Sequence, residues 1–191
     1  MTLPTRTSNA LTTMLRDGLP DGHGLYALVD GAHHPHLLPQ IISSGHRFAC
    51  LFDEREAAHL AHSAPFLVDV PANHDLVGIL GQGLGRAWFS FVRSAWDFDA
   101  VLQHLQQYIK CRHDIGNGRT VDAYFAFWDP RVAADWLPSL KGEPAQRFFG
   151  PLESFCAEAP ESRDRLVFYR HEGDAVAMQE LHLFAEHEAR A

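Results

Sequence analysis

The sequence predicts an α/β fold in which a mixed β-sheet of about five to six strands is flanked by helices. Three observations predict this class. Short apolar runs of strand length alternate with segments whose apolar residues recur at helical spacing. Hydrophobic residues make up 46% of the chain and charged residues 21%, a balance typical of globular proteins. The length of 191 residues suits one domain, or one domain with a short extension.

The strands are predicted where a short apolar run is bounded by turn-forming residues. The first run, residues 25–30, follows a Gly-rich turn. Nearly every residue of the segment 121–128 is apolar or aromatic, so this segment is the predicted central strand. The remaining predicted strands cover residues 48–52, 66–70, 87–92 and 165–169.

The helices are predicted where apolar residues share one face. The clearest helix lies within 98–109, and Ser94 with Asp97 three residues later forms a start like a capping box. For the next helix, Asp129 can cap the free N–H groups, while Pro130 at the first helical position loses no hydrogen bond. Further helices are predicted over residues 8–17, 36–42, 54–62, 75–80 and 174–188.

The acidic segment 158–165 is the predicted joint between two parts of the chain. Residues 1–158 form the predicted core domain, and residues 159–191 form a C-terminal extension with the last strand and an amphipathic helix. That helix carries Met178, Leu181 and Phe184, which either pack on their own domain or offer an apolar stripe to a partner. These three are the candidate partner-binding residues.

The charge pattern argues against two classes of partner. The net charge is -8, and lysine occurs only at Lys110 and Lys141, so we expect neither nucleic acid nor an anionic membrane surface as a partner. The three cysteines form no CxxC motif, which favours reduced thiols. The first residues show no secretory signal, and no apolar run approaches the ~20 residues that span a bilayer. We therefore expect a cytoplasmic protein.

Histidine is the unusual component, with 13 residues, and it raises the possibility of a metal site. His33, His34 and His36 form one cluster, and His59 and His62 another. A catalytic zinc site needs three protein ligands and an open position, and neither HExxH nor a comparable motif is present. No GxSxG occurs either. We expect no metal, no cofactor and no catalytic residue, while a small metal-dependent hydrolase remains the alternative.

Six stretches follow one another in an order that resembles a known family. The most specific is Asp129-Pro130-Arg131 after an aromatic run. The stretches are residues 25–32, 51–52, 64–68, 94 with 102–105, 127–132 and 148–151. Together they resemble the domain of unknown function numbered 4123, which is found in type VI secretion adaptor proteins, also called effector chaperones. The resemblance covers roughly residues 24–156.

The resemblance implies a non-catalytic adaptor in the cytoplasm of a Gram-negative bacterium. Its partners would be a toxic effector and the spike protein onto which the effector is loaded. The family-motif residues, structural or partner-facing, are Asp30, Ser94, Asp129, Pro130 and Arg131. One departure is Ala126, which stands where the family often has an arginine, so an ion pair at that place is in doubt.

A third hypothesis is an immunity protein that caps the active site of a toxin. The acidic net charge would suit a basic toxin such as a nuclease. An immunity protein inhibits the activity of its toxin, whereas an adaptor need not.

Overall fold

The computed structural model describes residues 5–71, 83–162 and 164–183, and its centre is one antiparallel sheet. Seven strands pair in the order β2-β3-β1-β4-β7-β8-β9, and β5 pairs with β6 in a separate hairpin. The strands are β1 Gly24–Asp30, β2 Phe48–Cys50, β3 Pro65–Asp69, β4 Phe89–Ser94, β5 Lys110–Asp114, β6 Thr120–Tyr124, β7 Leu152–Glu158, β8 Arg165–Glu172 and β9 Ala175–His182.

Helices flank this sheet, which confirms the α/β class. They are α1 Thr5–Arg16, α2 Leu37–Ser44, α3 Glu54–Leu60, α4 Phe98–Gln106, α5 Pro130–Trp136 and α6 Gly142–Phe149. The main sheet has more strands than predicted, and its pairings are antiparallel rather than mixed. β8 and β9 follow the predicted joint at 158–165 and continue the same sheet. None of the helices in the described ranges combines the length and apolar character of a membrane span.

The core is built on β1, whose residues 25–29 are all buried. β1 lies between β3 and β4, so it has strand neighbours on both sides. Aromatic ring contacts, most of them edge-to-face, pack the helices and the segments around them against the sheet. The cluster centres on Phe148, which contacts Tyr108, Phe127, Trp136, Phe149 and Phe155.

The predicted central strand over 121–128 is wrong. The turn 116–118 has three successive positive φ angles, at Gly116, Asn117 and Gly118. This turn pairs β5 with β6 locally, in a hairpin whose residues are mostly exposed. The apolar residues that follow, Phe127 and Trp128, enter the core without joining a strand. The central place in the sheet belongs to β1 and β4 instead.

The predicted helix over 174–188 is also wrong where the structure describes it, because residues 175–182 form β9. A two-residue loop, Gly173-Asp174, joins β8 to β9, and Gly173 has a φ of 63°. A Gly at the first position of such a loop favours a tight hairpin. The backbone groups of β9 therefore hydrogen-bond to β8, whereas in a helix they would bond within the same segment. Residues 184–188 lie outside the described residues.

The helix caps agree with the sequence prediction at one place and differ at another. Asp129 accepts a hydrogen bond from the Arg131 N–H at 2.9 Å, which confirms it as the N-cap of α5. The N-cap of α4 is Asp97, which accepts from the Ala100 N–H at 2.9 Å, and not Ser94. Ser94 is instead the last residue of β4, and its hydroxyl bonds to the backbone of Pro151 and Trp96. The predicted helix over 75–80 lies outside the described residues.

The hairpin at Gly173 gives a first prediction. Replacing Gly173 by Ala should lower the free energy of unfolding by about 1 kcal/mol, because an L-residue is strained at a φ of 63°. No atom lies within 4 Å of the added methyl group, so the loss would come from the backbone and not from a clash. Urea denaturation of both proteins measures it. A variant that is as stable as the parent, or more stable, would contradict the hairpin.

Candidate functional site

Trp128 connects two of the family-motif segments to the sheet. Its indole Nε1 donates a hydrogen bond to Asp30 Oδ2 at 3.2 Å, at the end of β1. Its backbone oxygen accepts a hydrogen bond from the Ser90 hydroxyl of β4 at 2.9 Å. The other carboxylate oxygen of Asp30 accepts from the Ala32 N–H at 2.9 Å. Asp30 and the start of α5 are thus brought together.

Asp129 and Arg131 form a local ion pair at the start of α5. The guanidinium donates from Nε to Asp129 Oδ1 at 2.9 Å and from Nη2 to Oδ2 at 2.5 Å. Burial acts to raise the pKa of Asp129, but the hydrogen bonds from Arg131 outweigh it, so the pKa lies below its usual value. Pro130 is buried as the first residue of the helix. These residues therefore hold the beginning of α5 in place.

The other predicted site residues lie elsewhere. Ser94 is at the opposite end of β4, where its hydroxyl donates to the Pro151 carbonyl at 2.6 Å and accepts from the Trp96 N–H at 2.9 Å. Met178 and Leu181 lie on β9, and their spacing of three residues puts them on opposite faces of the strand. Met178 is 59% exposed. Phe184 lies outside the described residues.

A groove of 620 Å³ opens between β2 and α3 on one side and the end of α4 and the start of β5 on the other. We call the apolar residues at its base the floor: Leu51, Phe52, Leu102 and Ile109. We call its charged border the rim: Asp53, Glu54, Glu56 and Lys110. The remaining lining residues are Ala49, Cys50, Ala57 and Gln106. The groove thus combines an apolar base with a polar border.

The rim is acidic because three carboxylates face one ammonium group. Lys110 Nζ lies 2.7 Å from Glu56 Oε1 and 3.3 Å from Asp53 Oδ2. Hydrogen bonds with Glu56 and Asp53 raise the pKa of Lys110. Tyr124 also donates its hydroxyl to Glu56 Oε1, at 2.7 Å. Among the described residues, no cationic side chain forms an ion pair with Glu54. The rim therefore keeps an excess of negative charge.

The floor is connected to the family-motif residues through Phe52. Its ring lies 6.4 Å from the Trp128 ring in an edge-to-face arrangement and 4.8 Å from the Tyr124 ring. An isolated two-stranded hairpin is marginally stable in water. The contacts of Tyr124 and Lys110 therefore tether the β5–β6 hairpin to the groove.

Sequence reasoning missed the groove. Its two walls come from residues 49–57 and 102–110, about 50 positions apart in the chain. The only local signal is the group of acidic residues Asp53, Glu54 and Glu56, which directly follows an apolar run. That signal equally fits the first turn of a helix, where acidic residues are favoured, and Asp53 is indeed the N-cap of α3.

The histidine clusters are spread over loops and helix ends. His59 lies in the last turn of α3 and His62 in the 3₁₀ turn that follows. His34 packs its ring against Trp88 at 5.2 Å. Within residues 5–71, 83–162 and 164–183, no group of three His, Cys, Asp or Glu side chains is placed to hold a metal ion.

A second, smaller cleft of 340 Å³ lies beside α5 and contains a buried carboxylate. Glu158 at the end of β7 is 5% exposed. Its Oε2 accepts hydrogen bonds from the N–H groups of Gly85 at 2.9 Å and Ala87 at 3.1 Å. Burial raises the pKa of Glu158 to about 7 although these hydrogen bonds act to lower it. Glu158 thus fixes the loop before β4, at Ala87, whose φ is 58°.

Comparison with known proteins identifies one match. The family model described as "Domain of unknown function (DUF4123)" covers residues 25–147. The match includes Asp30, Trp128, the start of α5 and both walls of the groove. No curated protein and no solved structure matches the chain.

Trp128 gives a second prediction. Replacing Trp128 by Phe should lower the free energy of unfolding by ~2 kcal/mol, because Asp30 loses a donor and the smaller ring leaves a void. Chemical denaturation measures the loss. Trp96→Phe is the matched control, since Trp96 is 49% exposed, and it should cost less than ~1 kcal/mol. Equal losses in the two variants would show that the Asp30 bond contributes little.

Glu158 gives a third prediction, on pH dependence. The pKa is raised in the folded protein from 4.5 to about 7, so the unfolded chain releases its proton first as the pH rises. The contribution of the neutral Glu158 carboxyl to stability is therefore fully present below about pH 4.5. As the pH rises from there through about 7, the free energy of unfolding falls by ~3 kcal/mol.

Glu158→Gln keeps an oxygen acceptor but cannot ionise, so it isolates this effect. Between pH 4 and 8, the stability of the variant relative to the parent should rise by ~3 kcal/mol. Urea denaturation at several pH values provides the comparison. A stability difference that is independent of pH would mean that Glu158 is not titrating in this range.

Proposed function

Because the chain belongs to the DUF4123 family, we propose that it is a non-catalytic adaptor that binds a type VI secretion effector and helps load it onto the spike protein in the cytoplasm. The family match supports the class of domain. The order of the motif stretches, which resembles type VI secretion adaptors, supports the role. The groove supplies a surface on which such a role can rest.

The groove is the observation that carries the proposal. Protein interfaces combine a desolvated apolar centre with a polar border, and a few buried anchors supply most of the affinity. The floor and the rim have this arrangement, and 620 Å³ lies within the range of ligand-binding pockets. The acidic rim and the net charge of -8 favour a partner segment that carries basic side chains.

β9 is the second surface to be tested. Met178 is exposed beside the buried Tyr169, with which it pairs across β8 and β9. Leu181 is half-buried on the opposite face of the strand, so the two side chains cannot contact one partner surface together. The groove has the better-formed apolar floor, and we therefore assign the effector to it.

A charge placed in the groove provides the fourth prediction. Ala57 is half-buried and lines the groove, so Ala57→Arg should fill it and repel a basic segment. We expect the tagged variant to recover at least tenfold less effector than the parent when both are purified from the native host. Mass spectrometry identifies and quantifies the recovered effector and spike protein.

The neighbouring residue offers a matched control. Ala58 lies on the same helix but is exposed and does not line the groove, so Ala58→Arg should leave effector recovery unchanged. If Met178→Asp loses the effector while Ala57→Arg retains it, the effector binds β9 and not the groove. If the parent recovers neither effector nor spike protein from cells that make the secretion machine, the adaptor function is wrong.

A further inference from the structure

β2 has a strand neighbour on one side only within the described part of the chain. It pairs with β3 through Phe48↔Val68, Ala49↔Leu67 and Cys50↔Phe66. Hydrogen bonds at the two ends of β2 fix the phase of this ladder, that is, which residues of β2 bond to β3. The Leu51 N–H donates to the Pro65 carbonyl at 2.9 Å, and the Asp69 N–H donates to the Arg47 carbonyl at 2.8 Å.

The phase of the ladder decides which backbone groups face the open edge. In an antiparallel pair, the N–H and C=O groups of alternate residues point towards the partner strand. Because Arg47 and Leu51 bond to the β3 side, Ala49 does so as well. The backbone groups of Phe48 and Cys50 therefore point away from β3. Cys50 also lines the groove, so the open edge borders the groove.

A side chain occupies one of these open positions. Gln106 of α4 reaches from the opposite wall and donates from Nε2 to the Cys50 carbonyl at 3.4 Å. This distance is longer than the usual 2.7–3.2 Å, so the hydrogen bond is weak. A backbone N–H from another chain could replace the Gln106 amide at little cost.

We infer that the groove binds an extended, basic segment of the partner protein as an additional β-strand on the open edge of β2. The segment displaces the Gln106 amide and hydrogen-bonds to the backbone of Phe48 and Cys50. This inference rests on the proposed adaptor function and specifies how the partner is recognised. Main-chain hydrogen bonds supply affinity in such strand addition, and alternate side chains supply specificity.

The lining of the groove determines the composition of the segment. Alternate side chains of a strand point to opposite sides. One set would lie on the floor, against Phe52 and Ile109, and must be apolar. The other set would face the rim, where Asp53, Glu54 and Glu56 outnumber Lys110 and favour lysine or arginine. A segment of alternating apolar and basic residues meets both requirements.

Residue-resolved amide hydrogen exchange tests the inference with a synthetic probe. The probe is a capped heptapeptide with the sequence Lys-Val-Lys-Val-Lys-Val-Lys, added to the full chain. We expect exchange at the Phe48 and Cys50 amides to slow at least tenfold. The amides of Ala49 and Leu51 should not change, because β3 already protects them. A peptide with glutamate in place of lysine should give no protection.

Two variants with the same change test the role of Gln106. Gln106→Ala removes the competing donor, so the lysine–valine peptide should bind several-fold more tightly. Gln107→Ala is the matched control, because Gln107 is exposed and its side-chain amide donates to the Gln103 carbonyl of α4, away from β2. Its peptide affinity should equal that of the parent. Weaker binding by Gln106→Ala would show that Gln106 contacts the peptide and is not displaced.

Several results would overturn the inference. Unchanged exchange at Phe48 and Cys50 with millimolar peptide excludes strand addition, and equal protection by the glutamate peptide excludes the basic preference. If the effector co-purifies with the chain but leaves these two amides unprotected, strand addition is wrong and the adaptor function stands. If the chain recovers no effector or spike protein, the adaptor function fails, and this inference fails with it.

Discussion

The hydrogen bond from the Trp128 indole to Asp30 is the contact on which the arrangement of the groove depends. A buried indole N–H needs an acceptor, and Asp30 provides it from the end of the central strand β1. The Ser90 hydroxyl fixes the backbone of the same residue from β4. Because the Trp128 ring also packs against Phe52, the position of the floor follows from that of the core sheet. Trp128 therefore links the core sheet to the floor of the groove and to the start of α5.

This arrangement gives the family-motif residues a physical role. Asp129 caps α5, its charge is balanced by Arg131, and Asp30 orients Trp128. These contacts are internal, so the motif describes how the domain is built more directly than what it binds. Within the groove, burial raises the pKa of the Cys50 thiol, which disfavours the nucleophilic thiolate.

Local signals in the sequence predicted much of the fold. The strands at 25–30 and 66–70 and the cap at Asp129 could be predicted because the signal for each lies in adjacent residues of the sequence. The prediction of a helix over 174–188 is wrong although Met178 and Leu181 fit helical spacing. The loop Gly173-Asp174, which favours a hairpin, is the stronger signal. The groove could not be predicted, since its walls are distant in the chain and meet only when α4 packs beside β2.

The two edges of the sheet differ in a way that bears on specificity. An open strand edge invites pairing with any extended chain unless the protein restricts access to it. At the start of β9, Lys141 bridges to Ala175, and the Gly142 N–H donates to the Asp174 carbonyl at 2.9 Å. β2 is restricted differently, because its edge borders a groove with an acidic rim and carries a weakly bound glutamine amide. A segment must therefore present a basic face, fill the floor and displace Gln106 before it gains the main-chain hydrogen bonds. Those requirements select against other extended chains, and they allow a short edge to be selective.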